Sequence, residues 1–164
     1  MILKILIEGL ILGGVLVMIC AWGIHGGAER MVFLYHQDVQ ERCIENGLIT
    51  SQQIRKNMML FKGLALPLYL LFALFCAYAV NGARGFVQGF LHMYGILFIV
   101  NLIDRFLIDD YWVLKTKAWD IPGTEDLKPY ITGQDKAMKW IGASVGFAIL
   151  SALLSLVMLY VTGA

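Results

Sequence analysis

The sequence predicts an all-α integral membrane protein: a four-helix transmembrane bundle with short cytoplasmic interfacial helices. Three observations predict it. Hydrophobic residues make up 59% of the 164 and charged residues 15%, with a mean hydropathy of +0.72, whereas soluble globular chains sit near about 45–50% apolar and about 25% charged. Four stretches each hold the roughly 20 apolar residues that cross roughly 30 Å of hydrocarbon. The basic residues gather on one side of those stretches. This composition excludes a water-soluble enzyme, and a net charge of +1 gives no basis for nucleic-acid binding.

The first span covers about residues 2–26 and carries only Lys4, Glu8 and His25. Its apolar run is too long for a signal-peptide core, and Ile19 before Cys20 spoils a lipoprotein cleavage site, so it reads as a retained helix. The second span covers about 58–80, the third 86–107 and the fourth 138–162. In hydrocarbon every backbone amide must be paired within its own element, which makes all four helices. Between the first two, Gln37 to Asn46 reads as a short helix with Val39, Cys43 and Ile44 on its apolar side and Gly47 closing it. Thr50 or Ser51, with Gln52 or Gln53, forms a capping box for a helix that runs from Ser51 straight into the second span and kinks at Pro67. Between the last two, helix three leaves the bilayer still helical, and Pro122-Gly123 marks a turn. Thr124 with Glu125 and Asp126 caps a short segment. Tyr111, Trp112, Trp119, Tyr130 and Trp140 fit an interfacial aromatic belt better than a set of ligand-stacking rings. Residues 1–164 form a single membrane domain without internal repeats.

Eleven of the 13 basic residues lie in or beside the two long connections, leaving Lys4 and Arg84 for the other face. The positive-inside rule then puts connections 30–56 and 108–136 in the cytoplasm and both termini outside, in a multi-pass protein of the cell membrane. Cys20, Cys43 and Cys76 show no CxxC spacing and imply neither a disulfide framework nor a zinc site. The pairs Gly9-xxx-Gly13, Gly23-xxx-Gly27, Gly85-xxx-Gly89 and Gly142-xxx-Gly146 supply the small-residue contacts through which membrane helices associate. Packing within one chain is the preferred use of them, and a homo-oligomer is the other.

Ionisable residues inside membrane helices are costly, so each marks a functional site or a pairing. Glu8 and His92 each lie six residues in from the outer side, about 9 Å deep, and are expected to pair, with Gln88 facing the same way. The pair serves either as a structural hydrogen bond or as a proton-handling site. The inner site is larger. His25 and Glu29, with Arg30 beside them, end helix one; Asn101, Asp104 and Arg105 share a face of helix three. Arg105 can also pair with Asp109. Asp104, Arg105, His25 and Glu29 are the candidate catalytic groups. Arg30, Asn101, Asp109, Asp110, Lys115, Lys117 and Trp119 are the candidate binding groups, and Arg30 is the expected partner of Asp104. A self-neutralising network that anchors helix ends is the competing account, but Asn101 and Asp104 are too short to snorkel far. His25 and Glu29 offer only two metal ligands, and Arg30 and Arg105 would repel a cation, so no metal is expected.

No Walker loop, GxGxxG, serine elbow or histidine box is present, so the residues name no cofactor. Cations beside carboxylates suit a lipid-like or anionic small molecule, which with the lipid bilayer is the expected partner. The expected function is a membrane enzyme or binder with a charged pocket at the cytoplasmic interface. The alternatives are an oligomeric proton- or ion-coupled transporter or channel, or a non-catalytic partner subunit. His92 and Asn101 are nine residues apart, a 180° offset at 100° per residue; the two polar sites of helix three therefore face opposite ways, which favours two separate sites over one continuous path.

The length, the four helices and the outside termini are similar to those of the membrane-associated eicosanoid and glutathione metabolism proteins, which are trimeric. Their first-loop motif has the form Glu-Arg-x-x-Arg-x-His-x-Asn-x-x-Glu. Here the stretch from Glu29-Arg30 through His36 to Glu41 lacks the second arginine and the asparagine, and its histidine and last glutamate are each displaced by one position. No family is assigned from it.

Overall fold

The structure, a computed structural model, describes residues 1–162. It is helical with no strand among the described residues, and four helices are long and apolar enough to span a membrane: Ile2–Ile24, Ser51–Val80, Gly85–Val113 and Gly133–Val161. The end of the bundle that carries both long connections is called the inner end here.

Helix α1 (Ile2–Ile24) buries Ile5, Gly9, Leu12, Gly13, Leu16 and Cys20, one stripe at helical spacing. It lies parallel to α4 (Gly85–Leu102) in a fixed register. Gly95 receives Ile5, Gly9 receives Ile99 and Gly13 receives Ile103. A Cβ at Gly9 would sit 2.7 Å from Ile99 Cβ, so the small-residue notch is filled within the chain. Helix α5 (Gly133–Thr162) runs antiparallel along the opposite flank of α4, where Ser151 and Ser155 are fully buried. The glycine pair of α5 behaves differently from expectation: nothing lies within 4 Å of a Cβ at Gly142 or Gly146. Helix α4 is thus the hub, with α1, α3 (Ser51–Leu74) and α5 around it.

Two helices change pitch before they end. Helix α3 passes into a π-helix over Phe75–Val80, and α4 into a longer one over Ile103–Val113. Helix three was expected to end at 107 and helix four to begin at 138. In the structure the first runs to Val113 and the second starts at Gly133, so the connection between them shortens.

The first connection follows expectation closely. Gly27, at φ 121°, turns the chain into a 3-10 helix over Ala28–Leu34 that packs on α3. Helix α2 (Gln37–Glu45) buries Val39 and Cys43, while Ile44 points outward. The Thr50–Gln53 capping box is formed, with Gln53 N donating to Thr50 Oγ1 at 3.3 Å and Thr50 N to Gln53 Oε1 at 2.9 Å.

The second connection folds into a cap on the inner end. Trp119 and Tyr130 are 1% and 3% exposed, so they are core residues of this cap and leave the expected aromatic belt. Both rings carry polar atoms, yet the apolar neighbours Ile121 and Ile131 are buried with them. Tyr35 Oη donates to Trp119 O at 2.8 Å, and Trp112 meets Trp119 edge-on at 5.6 Å. Burial pushes the Tyr35 hydroxyl above its ordinary pKa, which keeps it a neutral donor. Arg42 of α2 reaches Asp126 through both Nη atoms, at 3.1 and 3.3 Å. Thr124 does not cap the 3-10 turn Glu125–Leu127 with its side chain; its hydroxyl turns back to Ile121 O at 2.8 Å.

Candidate functional site

Beneath the cap lies a cavity of about 220 Å³. Its roof is Tyr35 and Trp119; its walls come from α1 (Leu16, Cys20), α3 (Phe61, Tyr69), α5 (Lys139, Phe147) and the α4 extension. The π-helical pitch positions that last wall. In a helix bonded i→i+5, residues five apart stack on one face. Asp104 and Asp109 are five apart, as are Ile108 and Val113, and all four line the cavity with Asn101 and Arg105.

The charges balance within this wall. Arg105 Nη1 pairs with Asp109 and Nη2 with Asp104, and Lys139 Nζ lies 3.3 Å from Asp109 Oδ2. Two carboxylates therefore meet two cations. The Asp109 and Arg105 side chains are 8% and 9% accessible, whereas Asp104 keeps 29%. Asn101 Nδ2 reaches only to 3.5 Å from Ser144 Oγ.

Three donors in the same lining are unmatched. Tyr69 Oη, Trp119 Nε1 and Arg105 Nε are buried and have no hydrogen-bond partner among the described residues. A buried unmade hydrogen bond costs about 1–3 kcal/mol, and native interiors hold few of them. Three around one cavity describe a site shaped for an occupant with acceptor atoms, in otherwise apolar surroundings.

The sequence groups fall into two sets. Asp104, Arg105, Asn101, Asp109 and Trp119 converge on the cavity. His25, Glu29 and Arg30 do not reach it, and the expected Arg30–Asp104 pair is not formed. The cause is the α1–α4 register: Gly13 sits against Ile103, which puts His25 more than about 15 Å beyond Asp104 along the helix at 1.5 Å per residue. The cation beside Asp104 is its own neighbour Arg105. Asp110 pairs with Lys136, and Lys115 and Lys117 are exposed on the cap away from the cavity. Tyr69, Tyr35, Cys20 and Lys139 were not singled out by sequence; the aromatic hydroxyls carried no signal, but Lys139 facing Asp109 is legible once α5 is known to start at Gly133.

A second polar site forms at the outer end. Glu8, leaning toward the N-terminus of its helix, places Oε2 2.6 Å from His92 Nε2. Asn81 Nδ2 donates to Glu8 Oε1 at 2.6 Å and lies 3.2 Å from His92 Nε2. Asn81 completes the group from the end of the α3 extension. Gln88 is exposed and accepts from Arg84 N at 3.0 Å, although it borders the same outer cleft as His92. Between the two sites α4 buries Met93, Ile96, Leu97 and Val100, all 0–2% exposed. Among the described residues no three His, Cys, Asp or Glu side chains gather as a metal-ligating group.

The fold and site define a small helical bundle whose apolar helices are compatible with membrane association. No family model, no curated protein and no solved structure matches the chain.

Proposed function

We propose that this is a multi-pass membrane protein that binds the polar head of an amphiphile in the inner cavity. The observation that carries the reading is the trio of unmatched donors, Tyr69 Oη, Trp119 Nε1 and Arg105 Nε, in an apolar cavity. Because the adjoining carboxylates and cations balance, the head that fits is neutral or zwitterionic, with carbonyl, ester or phosphodiester oxygens as acceptors. Asp104, the most accessible of the charged groups, is the one in position to exchange a proton with it.

In this reading the chain is one membrane domain, its termini face the outside of the cell membrane, and the basic connections face the cytoplasm, as eleven of the 13 Lys and Arg residues require. The buried apolar segment of α4 between the polar sites supports a binder or enzyme over a transporter.

The test is native mass spectrometry of protein extracted gently from its own membrane. The wild type is expected to carry a non-polypeptide mass. Tyr69→Phe and Trp119→Phe each remove one donor and nothing else, so each should weaken retention about tenfold while the helical circular dichroism is unchanged. Retention unaltered in both variants overturns the proposal and leaves the donors to trapped water.

A further inference from the structure

Helices α1 and α3 do not close against each other over their inner halves. The 3-10 helix Ala28–Leu34 wedges between them, and a groove of about 520 Å³ remains, floored by Met31 and Phe33 and walled by Ile19 and Trp22 on one side and Leu64 and Leu68 on the other. Trp22 is 83% exposed beside it. At the inner end the groove stops at Arg30 and Asn57, where Asn57 Nδ2 ties Arg30 O at 2.9 Å. Those two residues also border a second, polar pocket that adds Lys56, Gln53 and Glu29. The Arg30 guanidinium lies back over Gly26, against the space a Cβ there would fill, and neither Arg30 nor Lys56 has a carboxylate within ion-pair distance among the described residues.

We infer that this groove is a binding site for one anionic phospholipid, its acyl chain between α1 and α3 and its phosphodiester at Arg30 and Lys56. Length supports the assignment. From Asn57 to Leu68 the groove follows about 16 Å of helix, roughly half of a 30 Å hydrocarbon core and so the depth of one leaflet. Charge supports it as well, since two unpaired cations and one carboxylate leave a single positive charge at the mouth, the complement of a monoanionic headgroup. Exposed Trp22 sits where an amphipathic ring meets the interface. The site is separate from the inner cavity, with Phe61 alone bordering both, but it rests on the membrane placement proposed above.

The experiment uses the full chain in bilayer discs of phosphatidylcholine containing a minority of phosphatidylglycerol with a photoreactive acyl chain. Crosslinks are expected on Ile19, Leu64 or Leu68, and Arg30→Gln with Lys56→Gln should lower them by more than about tenfold. Lys115→Gln with Lys117→Gln removes the same charge from the cap and should leave them unchanged. All four side chains are exposed, or border the groove mouth, so thermal unfolding should match the wild type. Equal loss in both double variants, or crosslinks spread evenly over α5, overturns the site while leaving the membrane placement intact. A chain that fails to enter the discs overturns both.

Discussion

Glu8 and His92 form a bond whose value depends on burial, with side chains 12% and 4% accessible. Glu8→Ala leaves His92 and Asn81 Nδ2 without their acceptor, and the expected loss is about 1–3 kcal/mol. Chemical denaturation in detergent checks it, and a double-mutant cycle with His92→Ala should return a coupling energy clearly different from zero; strict additivity would count against the pair. This contact was legible because depth from the helix start is simple arithmetic for two parallel spans. Asn81 was not, since an asparagine followed by glycine after an apolar run reads as a turn. At the inner site the carboxylates of Asp104 and Asp109 were legible as costly charges, but their partner was misassigned. Helix ends give depth only when two helices begin level, and here the Gly9 and Gly13 notches set the register instead. Asp104→Asn keeps the shape, removes one charge of the balanced four, and should alter ligand retention with little change in helicity.

The elements that sequence patterning could not supply are the ones that hold the cavity together. Apolar periodicity locates a helix without stating its pitch, so the π-helical Ile103–Val113 was invisible although every one of its residues was assigned helical or interfacial character. Deleting exposed Phe106 shifts Asp109 by one position relative to Asp104 and breaks their common face. The expected result is a helical protein that no longer retains its ligand, read by the same mass measurement. The cap was underestimated for a related reason: five aromatics near a membrane boundary satisfy a belt equally well whether they face lipid or each other. Its closure can be weighed through Tyr35→Phe, which removes the hydrogen bond to Trp119 O and leaves the ring. A loss of about 1 kcal/mol should speed amide exchange across 114–132 several-fold while α4 stays protected.

For the whole molecule, the four apolar stretches and the asymmetric basic residues carried the architecture, because length and charge are independent of packing detail. The orientation they imply is testable on the natural background, since Cys20, Cys43 and Cys76 are all buried and burial pushes the Cys43 thiol above its ordinary pKa. An impermeant maleimide should label Arg84→Cys from outside the cell and Lys117→Cys only after the membrane is opened; the reverse pattern inverts the protein. If the chain crosses a bilayer in that sense, Met93, Ile96, Leu97 and Val100 act as electrical insulation. The transmembrane voltage would fall across this dry stretch, the Glu8–His92 pair would answer to the acidity outside, and Asp104 with Lys139 to that within, so that each end of one short helix bundle keeps its own proton reservoir.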